Sequence, residues 1–176
     1  MALKKYQLGY LSVFGGILIH LTLGTIYLWG NINVYITSYY RLHFDNSLSL
    51  TTSSFIFPSW YFFQTLGMYL ATIVGNRLGF KRTAVLAMLS FAGVTFLCSF
   101  IENFTLFMAI YGTLPAIALG FAYMIPLHCG WAYFPKHRGK VNGIISTAFG
   151  ISVLPFNPIA THLANPDDVI PSIEVK

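Results

Sequence analysis

Long stretches without a single charge constrain this chain more than any other feature. Its charged residues are Lys4, Lys5, Arg41, Asp45, Arg77, Lys81, Arg82, Glu102, Lys136, Arg138, Lys140, Asp167, Asp168, Glu174 and Lys176. Between them run five charge-free segments, 6–40, 46–76, 83–101, 103–135 and 141–166. A helix rises about 1.5 Å per residue and a bilayer core is about 30 Å thick, so each segment is long enough to cross. One Lys, Arg or Asp at a helix centre costs roughly 2.5–3.5 kcal/mol on insertion scales, so five clean runs in succession carry meaning. The expected fold is therefore all-α: a polytopic membrane protein with five transmembrane helices, at about 8–30, 53–75, 83–101, 104–128 and 141–163. Residues 1–164 form one helical domain in this reading, and 165–176 a short polar outer tail.

Composition excludes the main alternatives. Hydrophobic residues make up 56% of the 176 and charged residues 9%. Soluble domains average about 25% charged, so this chain cannot cover a globular surface with ions. That argues against both a soluble enzyme and a disordered chain. The net charge of +5 raises nucleic acid as a partner, but the distribution of the charges argues against it. With the N-terminus inside, eight of the ten basic residues fall in inner segments and two, Arg41 and Lys176, in outer ones. That is the positive-inside pattern, and it predicts a cytoplasmic N-terminus with the C-terminus outside or lumenal. The first apolar run exceeds 20 residues with no small-x-small cleavage site after it, so it reads as a retained anchor.

Four of the five spans carry a small or polar stripe at helical spacing. Span 1 has Gly9, Ser12, Gly16, His20, Gly24, Tyr27 and Asn31. Span 2 has Ser54, Pro58, Tyr61, Thr65 and Thr72; span 4 has Gly112, Ala116, Gly120, Tyr123 and Gly130; span 5 has Asn142, Ser146, Gly150, Asn157 and Thr161. Span 3 has none and reads as peripheral. Two readings are open. Small residues let helices approach closely, and hydroxyls bond across the contact. Alternatively the stripes line a polar path, which the mixture of Tyr, Asn and His favours. On the second reading His20, Tyr27, Tyr61, Tyr123 and Asn157 are the substrate-path candidates, because an ionisable group inside a membrane is a functional candidate by default and a phenol can bond a carboxylate. Pro115 and Pro126 are expected to interrupt span 4, and Pro155 and Pro158 span 5, since proline removes a backbone donor.

Other chemistry is sparse. Cys98 and Cys129 read as small buried hydrophobes, and the His128–Cys129 pair lacks a third ligand nearby, so no metal and no cofactor is expected. Trp29, Trp60 and Trp131 lie near expected span ends and read as an interfacial belt. Asn103-Phe104-Thr105 is a glycosylation sequon hard against the membrane. No nucleophile–base–acid set and no phosphate loop is present, so no enzyme is expected.

The two inner loops, VGNRLGFKRT (74–83) and GWAYFPKHRGKVNGI (130–144), resemble those of the major facilitator superfamily. In that family the loop between helices 2 and 3 carries a signature near G-x-x-x-D-R-x-G-R-[KR]. Arg77, Gly79 and Lys81 match its R, G and basic positions, while Thr72 stands for the first Gly and Asn76 for the Asp. Asn76 cannot form the family's latching ion pair. Tyr133, Phe134, Pro135, Arg138, Gly139 and Gly143 resemble the run entering helix 5 in the oxalate/formate exchanger and monocarboxylate porter branch. LGTIYLWG in span 1 and NPDD after span 5 are similar to that branch as well. The resemblance implies a membrane transporter of small organic anions such as monocarboxylates, antiporter-like, working by alternating access, with Asn76, Arg77, Gly79, Lys81, Arg138, Gly139 and Gly143 in gating loops. It covers nearly the whole chain, which corresponds to the N-terminal part of a twelve-helix family. Expected partners are the lipid bilayer, a small organic anion and either a second half or a homo-oligomer. The rival expectation is a non-transporting subunit or truncated paralogue that binds a partner. Five helices alone are expected to self-associate and to leave carboxylates untransported.

Overall fold

A computed structural model describes residues 2–167, with side chains from Tyr6 onward. Residues 168–176, which hold most of the expected outer tail with Asp168, Glu174 and Lys176, lie outside the described residues, as do the side chains of Lys4 and Lys5. Among the described residues every regular element is helical. The order is α1 (Ala2–Leu23), a 3₁₀ segment (Gly24–Leu28), α2 (Trp29–His43), α3 (Leu50–Ser54), α4 (Ile56–Leu78), α5 (Phe80–Cys98), α6 (Phe104–Tyr111), α7 (Leu114–Tyr133), a 3₁₀ turn (Pro135–His137), α8 (Arg138–Ile151) and α9 (Val153–Ala164). These join into five rods, one for each charge-free run.

Four of the rods, Tyr6–His43, Phe80–Cys98, Phe104–Tyr133 and Pro135–Ala164, are long and apolar enough to cross a membrane. The fifth, α4, has 23 residues and so the length, but it carries Ser59, Tyr61, Gln64, Thr65 and Tyr69. It packs between α5 and α7, and Gln64 is buried there. The first rod is longer than the expected 8–30. Its 38 residues span roughly 57 Å at helical rise, well beyond a bilayer core. The helix follows the charge-free run to Arg41 rather than stopping at the membrane's thickness.

The reading of two tryptophans is corrected as well. Trp29 and Trp60 are buried in the bundle rather than exposed as an interfacial belt. Both rings pack on Tyr111, with centroids 5.4 and 5.1 Å away. Pro115 is corrected too. It does not interrupt a helix, because the chain breaks one step earlier, at Gly112-Thr113, and α7 starts at Leu114 with the proline in its first turn. The missing N–H has no intrahelical partner there in any case. Pro126 and Pro158 lie inside α7 and α9, but both helices run on through them, so neither proline interrupts its span.

The fourth rod is the hub. Its α7 packs against α1, α4, α5 and α8. Ala116, Leu119, Gly120 and Ala122 lie buried along it, and Gly120 packs on Gln64, Gly67 and Met68 of α4. The approach is close enough that backbone meets backbone. A Cβ built on Gly120 would lie 2.7 Å from the Met68 nitrogen, and one on Gly67 would lie 3.0 Å from the Ile117 carbonyl carbon. By contrast α5 presents Val85, Leu86, Leu89, Phe96 and Leu97 outward, in keeping with its lack of a stripe.

Short polar motifs close the ends. Ser49 caps α3, and Asn103 caps α6 by accepting the Leu106 N–H at 2.9 Å, so the sequon asparagine is engaged in holding a helix start. The Tyr40 hydroxyl donates to the Ile101 carbonyl, tying α2 to the loop after α5, at the end where the chain leaves both helices. In the first of these loops the Ser47 hydroxyl and N–H donate to Asp45 at 2.6 and 2.9 Å, which holds that carboxyl below its ordinary range. At the other end Gly79 joins α4 to α5 at φ +86° and ψ 135°. Side chains rarely adopt that conformation, so glycine is needed at this position of the loop.

Candidate functional site: an aromatic-hydroxyl cluster between the rods

Midway along the first rod the helix tightens to 3₁₀ over Gly24–Leu28. The local sequence accounts for it. The Thr22 and Thr25 hydroxyls donate back to the Ile19 and Thr22 carbonyls at 2.7 and 2.8 Å, and such back-bonding competes with the regular ladder. Gly24 also sits directly on the Phe149 carbonyl and the Ser152 side chain. At that level the fifth rod changes from α8 to α9 through Ser152. Pro155 there has no N–H to give the Ile151 carbonyl. Irregular backbone from two rods therefore meets at one depth, a feature often found at functional sites of helices.

Tyr27 projects from this segment. Its hydroxyl is within hydrogen-bonding reach of Tyr61 on α4, and Tyr123 on α7 is near enough to interact with it. The Tyr123 hydroxyl bonds Ser146 of α8 at 3.1 Å. Phe149 forms an apolar wall, its ring 5.2 Å from both Tyr27 and Tyr123. Three of the five substrate-path candidates thus converge from three different helices. Tyr61 is 42% exposed and Tyr27 half-buried, so the cluster is not closed off. A small carboxylate could accept bonds from its hydroxyls.

His20 belongs to the same cluster but behind it. It is completely buried, its ring 4.5 Å from that of Tyr123. Nδ1 pairs with the Gly16 carbonyl at 3.0 Å, and Nε2 has no partner among the described residues. Asn157 stands apart. It accepts a bond at 3.0 Å from Asn31, which also donates to Thr161 at 2.6 Å. This amide pair fastens α2 to α9.

The loop residues lie at the basic end. Asn76, Arg77, Lys81, Arg138, Gly139 and Gly143 are all exposed, and a Cβ on Gly139 or Gly143 would meet nothing within 4 Å. One contact near this end escaped the sequence reading. His128 Nε2 pairs with Thr72 Oγ1 at 3.2 Å, and the His128 ring stacks on Phe80 at 5.4 Å. Thr72 stands where the facilitator signature has glycine, so the departure was visible, but its partner 56 residues away was not.

Fold and cluster together define a polytopic, all-helical membrane protein whose interhelical polar groups are uncharged. Its relatives narrow this. The chain is homologous to apicoplast pyruvate carrier 1 of Toxoplasma gondii, with 34% identity over 204 residues covering 96% of this chain and 37% of the relative. Apicoplast pyruvate carrier 2 of the same organism is 28% identical over 85% of this chain and 24% of its own length. The chain thus spans well under half the length of the curated relatives it matches. No family model and no solved structure matches it.

Proposed function

We propose that the protein belongs to a major facilitator carrier that moves pyruvate or a similar small monocarboxylate by alternating access. The observation that carries the reading is the similarity to a pyruvate carrier along almost the entire chain. The geometry supports it: phenol groups from three helices gather beside paired breaks in the first and fifth rods, an arrangement suited to a midplane site. Tyr27, Tyr61 and Tyr123 would donate to the carboxylate, with His20 holding Tyr123 in place from behind and Asn157 fixing the α2–α9 contact. Asn76, Arg77, Gly79, Lys81, Arg138, Gly139 and Gly143 would serve the inner gate. No charged side chain lies between residues 6 and 40, 46 and 76, 83 and 101, 103 and 135, or 141 and 166. A cation to balance the carboxylate would therefore come from outside these spans, and the open glycine face of α8 is where a second half or second copy would pack. Liposomes carrying the protein purified from its own membrane together with a second half or second copy should show saturable uptake of labelled pyruvate that unlabelled lactate competes, whereas the 176 residues alone should leave pyruvate untransported. Uptake that is linear in concentration and indifferent to lactate would reject the reading.

The orientation proposed with it places the basic loops in the cytoplasm. With Cys98 and Cys129 replaced by alanine, Asn46→Cys and Lys81→Cys should react with an impermeant maleimide from opposite sides of the membrane, Lys81→Cys from the cytoplasmic side. Reaction of both from one side would contradict it.

A further inference from the structure

A groove of about 730 Å³ opens between the start of α1 and the start of α8, at the basic end and away from the tyrosine cluster. Its floor is set by the sequence. Phe134 ends α7, and its ring lies against Gly9, where a Cβ would come within 2.8 Å of it. Tyr10 packs on the same ring at 5.4 Å. One wall is Tyr6 and Tyr10, 60% and 68% exposed; the opposite wall ends in Ile144. Lys136 and Lys140 also line it, and both are exposed. No carboxylate occurs in 130–144 to neutralise them. The start of α8, beside these lysines in sequence, has no side-chain cap, so no side chain satisfies its first N–H groups.

We infer that this groove binds one anionic phospholipid, with its phosphate at Lys136 and Lys140 and an acyl chain along Tyr10, Phe134 and Ile144. The occupant follows from charge and lining. Two lysines with no carboxylate in their segment select a negative head group, and Tyr10, Phe134 and Ile144 offer an acyl chain an apolar wall.

The test is native mass spectrometry of the protein released from nanodiscs of mixed phosphatidylglycerol and phosphatidylcholine. Phosphatidylglycerol should be retained over phosphatidylcholine, and each lysine removed in Lys136→Gln and Lys140→Gln should weaken retention by roughly fivefold. Lys81→Gln with Arg82→Gln, an equal loss of charge at the other basic loop, should leave retention unchanged. Equal retention of the two lipids, or equal loss from both variant pairs, would overturn the assignment. A photo-crosslinking residue at Tyr10 supplies a readout free of charge effects: it should couple to lipid. Coupling to a protein helix instead would give the groove another occupant and reject this one.

Discussion

Replacing Gly120 by alanine is expected to destabilise the bundle by about 1–3 kcal/mol, the usual range for overpacking a close contact. The new methyl would fall on the Gln64 carbonyl oxygen and within 2.7 Å of the Met68 nitrogen. Those are backbone atoms of α4, so no side chain can rotate away and the helices must separate. α7 is the rod that α1, α4, α5 and α8 all touch, so separation at this crossing loosens the bundle as a whole. The internal control is Gly93 on α5, where a Cβ meets nothing within 4 Å and alanine should be neutral or mildly favourable through helix propensity. Thermal unfolding in detergent, followed by size-exclusion fluorescence, should show a lower midpoint for Gly120→Ala and no loss for Gly93→Ala. Equal behaviour of the two would mean that the α4–α7 contact is not set by these glycines.

The number and place of the rods were legible because charge avoidance is a one-dimensional signal. Each run long enough to cross became a helix or a pair of helices. Helix ends were less legible. Span 1 was given a bilayer's length, yet nothing in its sequence stops a helix before Arg41, and the misplaced end turned buried Trp29 into an interfacial residue. The stripes held two meanings that periodicity cannot separate. Gly16, Gly24 and Gly120 are places where another element sits directly on the backbone, while Gly150 faces open space. Tyr27, Tyr61 and Tyr123 could each be assigned to a stripe, but their convergence depends on how three helices rotate against one another. The Asn31–Asn157 and Thr72–His128 pairs are long-range for the same reason: sequence shows the polar groups and packing chooses their partners.

The account's central claim is that the tyrosine cluster faces a wet path for a small carboxylate, not lipid. Tyr61 and Phe62 provide the sharpest comparison, because they are neighbours on one helix and both exposed, at 42% and 70%. They point about 100° apart, Tyr61 toward Tyr27 and Phe62 away from that cluster. A thiolate reacts with maleimide only where water reaches it, because a dry thiol stays protonated. The measurement is the labelling rate, by an impermeant maleimide, of Tyr61→Cys and Phe62→Cys in protein with Cys98 and Cys129 replaced by alanine. Tyr61→Cys is predicted to label readily and to be slowed severalfold by pyruvate, while Phe62→Cys stays unreactive throughout. If Tyr61→Cys were as inert as Phe62→Cys, or labelled at a rate indifferent to pyruvate, the cluster would be a packing contact and the solute path would lie elsewhere.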